Sequence, residues 1–127
     1  MVIEHVAIWT TRLEALTEFY ERFFAARAGP LHRSARRPFE SRFLSFASGA
    51  RLELMRVPDL PTPPAAAPSV GLAHVAFSVG SPAAVDRLTE ALRTAGHVVQ
   101  GEPRRTGDGY YESVVLDPDG NVVEIAA

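Results

Sequence analysis

Apolar and polar positions alternate over residues 3–9, Ile-Glu-His-Val-Ala-Ile-Trp, and again over residues 72–78, Leu-Ala-His-Val-Ala-Phe-Ser. Alternation at a period of two predicts a strand in each place. After each strand the period changes. Leu13, Leu16, Phe19, Tyr20, Phe23 and Phe24 fall on one face of a helix predicted from about Arg12 to Ala25. Thr11 is placed to cap it, with Glu14 three residues on to complete a capping box. In the second stretch Ser81 is the expected N-cap and Pro82 the first helical residue. Val85, Leu88 and Leu92 make the apolar face, and Gly96 supplies the stop. Strands are then expected near 27–34, 40–47 and 50–56, and near 97–102, 110–117 and 120–126. The Asp117-Pro118-Asp119-Gly120-Asn121 run predicts a tight turn joining the last two.

The chain thus reads as one pattern written twice. The shared His-Val-Ala-apolar core sets His5 opposite His74, and Ser48-Gly49-Ala50-Arg51-Leu52-Glu53-Leu54 matches Asp119-Gly120-Asn121-Val122-Val123-Glu124-Ile125. The matched histidine and glutamate are separated by 47 residues in the first half and 49 in the second. The expectation is a single domain over residues 1–127 built from two βαβββ modules, about 1–56 and 72–127. Between them runs a linker over 57–71 whose five prolines exclude helix and central strand.

Side chains alternate between the faces of a strand. Val6 and Ile8 therefore lie opposite His5 and Ala7; Val75 and Phe77 lie opposite His74, Ala76 and Ser78. Leu52 and Leu54 lie opposite Glu53, and Val123 and Ile125 opposite Glu124. Each strand has one branched or aromatic face suited to packing under a helix, and one face with a metal-competent side chain among small neighbours. This predicts an α+β fold, a curved mixed sheet with helices outside and a lined cavity inside. Two imidazole nitrogens and two carboxylates suit zinc, nickel, iron or manganese. A lone histidine in an apolar strand is more often a hydrogen-bonded core residue, and a lone strand glutamate an edge residue. The joint appearance of both at equivalent repeat positions is what singles out His5, Glu53, His74 and Glu124. His32 and His97 fall outside the repeat and are read as structural or surface residues.

Composition narrows the alternatives. The formal net charge is −2 and no like-charge run exceeds two residues, so nothing marks a nucleic-acid binder. All thirteen basic residues are arginine, read as compositional bias. No cysteine is present, which removes disulfides, thiolate catalysis and thiolate metal sites. No apolar stretch approaches membrane-spanning length, and the opening residues lack the pattern of a secretory leader. The expected setting is cytoplasmic, with neither membrane nor nucleic acid as partner.

The opening Ile3-Glu4-His5-Val6-Ala7-Ile8, the central Leu72-Ala73-His74-Val75-Ala76-Phe77 and the closing Leu116-Asp117-Pro118-Asp119-Gly120-Asn121-Val122-Val123-Glu124 resemble the vicinal oxygen chelate superfamily. This is the glyoxalase I, bleomycin-resistance and extradiol-dioxygenase group, and the resemblance spans essentially the whole chain. It implies paired βαβββ modules with a divalent metal ion held by His5, Glu53, His74 and Glu124. Dioxygenases and fosfomycin-modifying transferases of that group typically use two His and one Glu, and bleomycin-binding relatives usually lack the set. The full set is closer to glyoxalase I, and less close to methylmalonyl-CoA epimerase. It implies a metal-dependent lyase or isomerase acting on a small oxygenated substrate through an enediolate-like intermediate, with Glu124 or Glu53 moving the proton. The alternatives are a metal-dependent dioxygenase or thiol transferase, and a non-catalytic small-molecule binding protein. A homodimer is expected. No glutathione-binding set can be matched; Arg12, Arg36, Arg37 and Arg104 are candidates, and each also reads as surface charge. Thr106 to Glu112 reads either as a mobile loop near the cavity mouth or as a plain hairpin approach.

Overall fold

A computed structural model describes residues 1–61 and 71–127. The chain divides into two compact units, Met1–Pro64 and Ala65–Ala127. Most of the proline-rich stretch assigned to the linker, residues 62–70, lies outside the described residues.

The first unit runs β1 (His5–Trp9), α1 (Leu13–Phe24), β2 (Arg27–Ala28), β3 (His32–Arg33), β4 (Glu40–Ser45) and β5 (Arg51–Arg56). Its sheet has the order β1-β5-β4-β2, with β3 also paired to β4. One predicted strand, 27–34, is therefore two short ones on the same neighbour. Gly29-Pro30 interrupts it, since proline has no N–H for the ladder. The helix buries Leu13, Leu16, Phe19, Tyr20 and Phe24, and Leu44, Leu52 and Leu54 of the sheet are equally buried. Leu44 and Leu52 are register partners across β4 and β5, so they share the apolar face. The expected capping box at Thr11 is not formed. The N-cap is Arg12, without a side-chain cap, and Thr10 Oγ1 instead accepts from the Arg12 backbone N–H at 2.8 Å. Thr10 is buried at the end of β1, and that burial brings its hydroxyl one residue earlier into the turn.

The second unit runs β6 (Val75–Ser78), α2 (Pro82–Thr94), β7 (Val99–Arg105), β8 (Tyr111–Leu116) and β9 (Val122–Ala126), with sheet order β6-β9-β8-β7. Here the expected cap is present: Ser81 accepts from the Ala84 N–H, and proline follows at the first turn. Val85, Thr89 and Leu92 are buried against Val115, Val123 and Ile125. The Thr89 and Ser113 hydroxyls meet at 2.6 Å, which satisfies two buried polar groups at once. Thr106 to Tyr110 is the β7–β8 hairpin connection, closed by Thr106 N–H to Tyr110 O at 2.8 Å.

The two units share a connectivity. In each, the first and last strands lie side by side in parallel, and the remaining pairs are antiparallel. A parallel pair needs a long crossover, here the helix and the intervening strands. The architecture is α+β, with one helix and one mixed sheet in each unit. Among the described residues no helix is long and apolar enough to cross a membrane.

Candidate metal centre

The parallel pairing is what brings the repeated histidine and glutamate together. In β1–β5 the register sets Ala7 opposite Glu53; in β6–β9 it sets Ala76 opposite Glu124. Each glutamate therefore faces a methyl group two residues past its histidine. That leaves the carboxylate room to lean toward the imidazole. Glu53 Oε2 is 3.8 Å from His5 Nε2, and Glu124 Oε2 is 3.2 Å from His74 Nε2. His5 is the first residue of its strand, whereas His74 immediately precedes β6.

The turns before the two glutamates are built alike. Gly49 and Gly120 both have φ +84°, a conformation that favours glycine. In the second unit Asp117 Oδ1 accepts from the backbone N–H groups of Asp119 and Asn121, both at 2.9 Å, and Oδ2 accepts from the Asn121 amide at 2.8 Å. This fixes the approach to β9 and hence to Glu124.

The electrostatic surroundings of the two carboxylates suit a cation. Glu53 and Glu124 are mostly covered, with 16% and 21% of their side-chain surface accessible. Among the described residues neither pairs with an arginine, although the chain has thirteen. Burying carboxylates without a compensating charge is costly, so an ion held between imidazole nitrogen and carboxylate oxygen fits this donor set. Among the described residues no group of three or more metal-competent side chains is gathered at one point; each unit holds one His–Glu pair of its own.

The first unit also contains an open cavity of about 690 Å³. Glu53 lines it, together with Arg27, His32, Phe39, Phe43 and Arg51. His32, read from sequence as structural or surface, therefore belongs to the cavity wall. Pro30, two residues earlier, interrupts the strand and lines the same cavity. The arginines at the cavity are Arg27 and Arg51, not those singled out beforehand. Arg37 stacks over Phe39 at 4.7 Å, and Arg104 pairs with Glu112 at 3.4 Å.

The family model described as Glyoxalase/Bleomycin resistance protein/Dioxygenase superfamily matches residues 2–125. A relative in Bacillus subtilis (strain 168), the uncharacterized protein YqjT, is 41% identical over 61 residues, which are 46% of this chain and 48% of that one. Among solved structures, glyoxalase I from Zea mays superposes with a TM-score of 0.80 at 18% identity, covering 98% of this chain and 44% of the maize chain. The match thus spans about half the length of each of these two proteins. A glyoxylase/bleomycin resistance protein/dioxygenase domain from Frankia sp. EAN1pec gives a TM-score of 0.84 at 19% identity, over 99% of this chain and 96% of that one. At such identities the likeness establishes the fold.

Proposed function

The chain belongs to the Glyoxalase/Bleomycin resistance protein/Dioxygenase superfamily, and from that premise we propose that it is a metal-dependent lyase or isomerase of glyoxalase I type. The observation that carries the proposal is the repetition of one His–Glu pair at equivalent register positions of both units, with each carboxylate lacking an arginine partner among the described residues. His5 and His74 would hold the ion through Nε2, and Glu53 and Glu124 through carboxylate oxygens. Zinc, nickel, iron and manganese all accept that set. A divalent ion bound there supplies Lewis acidity toward adjacent oxygens of a small substrate.

The chain's own residues must move the proton. Without cysteine or lysine, the groups able to do so at the site are carboxylate, histidine and tyrosine. A histidine that donates its Nε2 lone pair to an ion has none left there for a proton. A glutamate has two oxygens, so Glu124 or Glu53 could serve as a ligand and also take a proton from a substrate carbon. Glu124 is the first choice, because the Asp117–Asn121 hydrogen bonds hold the turn into its strand. Glu53, on the wall of the 690 Å³ cavity, is the second.

Metal analysis of freshly purified protein, followed by a hemithioacetal turnover assay, tests this reading. The expected result is about one divalent ion per chain and measurable isomerisation. His5→Ala and His74→Ala are each expected to lower metal content sharply, and His97→Ala to leave it unchanged. Full metal occupancy in both alanine variants would remove the ligand assignment. Metal binding without turnover would move the protein to the oxygenase, thiol-transferase or binding members of its superfamily.

A further inference from the structure

The two His–Glu pairs are alike, but their surroundings are not. His5 Nδ1 lies 2.5 Å from Glu4 Oε2, and the other oxygen of Glu4 pairs with the Arg51 guanidinium. The Arg51 backbone N–H also donates to Glu4 O at 3.0 Å. Arg51 stacks over the Phe43 ring at 4.1 Å, and the same ring meets the His5 imidazole edge-on, centroids 5.4 Å apart. In the second unit Ala73 precedes His74, and Val122 occupies the repeat position of Arg51. The strand partner of Glu124 is Val114, where the partner of Glu53 is Phe43. All three residues that surround His5 are therefore replaced by aliphatic ones around His74. Among the described residues no side chain hydrogen-bonds Nδ1 of His74.

We propose that Glu4 is a positioning residue for His5, held by Arg51, and that it preorganises the first unit's His–Glu pair for a metal ion. The inference rests on the metal-site reading above. An ionised carboxylate only accepts hydrogen bonds, and one oxygen of Glu4 faces His5 Nδ1 while the other is paired with the Arg51 guanidinium. The nitrogen facing Glu4 must then carry the proton. That fixes His5 as the Nδ1–H tautomer and leaves the lone pair on Nε2, the atom turned toward Glu53. A carboxylate on the second nitrogen of a ligand histidine sets its orientation and raises its basicity. The Glu4–Arg51 ion pair is substantially exposed and by itself stabilises the fold little. Its effect is on the imidazole.

Two measurements test this on the full chain. In the metal-free protein, nitrogen-15 NMR of neutral His5 is expected to report the Nδ1–H tautomer, with loss of that preference in Glu4→Ala. In a cobalt titration against a competing chelator, Glu4→Ala is expected to weaken binding about 10- to 100-fold, Glu4→Gln by less, and Glu14→Gln not at all. His5→Ala is expected to lose more affinity than His74→Ala. An Nε2–H tautomer in the native protein, or unchanged cobalt affinity in Glu4→Ala while His5→Ala loses it, overturns the role of Glu4 and leaves the metal site standing. A native protein that takes up no cobalt, with His5 in the Nδ1–H form, instead overturns the metal site and with it this inference.

Discussion

Glu53 stands directly across from Ala7 in the parallel pairing of β1 with β5. Because Ala7 ends at its Cβ, the carboxylate can reach past it to His5 Nε2 at 3.8 Å. The same relation recurs between Ala76 and Glu124, where the distance is 3.2 Å. Two glutamates so similarly placed, each without an arginine partner among the described residues, are the natural targets for substitution.

Glu53→Gln and Glu124→Gln keep the size of the side chain while removing its charge and basicity. Each variant is expected to fold as the native protein does and to keep part of its metal. The variant that lacks the proton shuttle is expected to lose about 10²- to 10⁴-fold in turnover. Circular dichroism, metal content and steady-state rates together check this. Near-native activity in both variants would exclude either glutamate as shuttle and turn attention to Glu112 and Tyr110.

Glu40 gives the acid limb of stability a specific origin. The Arg56 guanidinium, and after it that of Arg33, hold its carboxyl below the ordinary value. A depressed carboxyl contributes stability that is fully present above its unfolded pKa of about 4.3. That contribution is lost as pH falls through the lower folded value. Glu40→Gln is therefore expected to be less stable than the native chain at neutral pH, with the gap closing below about pH 4. Urea midpoints measured across that range check the sign, and a gap that widens on acidification would contradict it.

Leu54 is fully buried on the helix-facing side of β5. Leu54→Ala is expected to cost about 2–5 kcal/mol of unfolding free energy through the cavity it leaves. Urea denaturation measures it directly. A loss below about 1 kcal/mol would mean that the neighbouring side chains collapse into the space.

A homodimer is expected, with light scattering giving twice the mass of one chain. Once subunit exchange is verified, mixing His5→Ala with His74→Ala chains distinguishes the two ways of completing a metal site. Recovered metal binding would mean that ligands are shared between chains. No recovery would mean that each chain completes its own.

Much of this organisation is legible in the sequence, for reasons particular residues make plain. The repeat of His-Val-Ala and of glycine four positions before glutamate is visible because a strand's period of two cannot tolerate a slip. Ser81-Pro82 announces its helix because both cap and first turn are local chemistry. The first helix misleads because Thr11 is a good cap by type, yet the N-cap is Arg12 and no side chain caps it. The Arg12 N–H is taken by Thr10 instead, a matter of how β1 delivers the chain into the turn. The fracture of one strand into β2 and β3 is open to a local reading of Gly29-Pro30, whereas the place of His32 on a cavity wall depends on how the chain pairs with β4. The Glu4–Arg51–Phe43 surroundings of His5 are tertiary in the same sense: three residues on three different stretches, joined only by the fold.

The adjacency of first and last strands has a consequence for biogenesis. As each unit emerges during synthesis, its histidine appears at the start and its glutamate only with the final strand. Pairing them requires closing nearly the whole module, a distant contact of the kind that forms late and slowly. Anything that needs both side chains can therefore engage only a finished unit. An ion bound by such a pair would stabilise completed modules by mass action and pass over truncated or half-made ones.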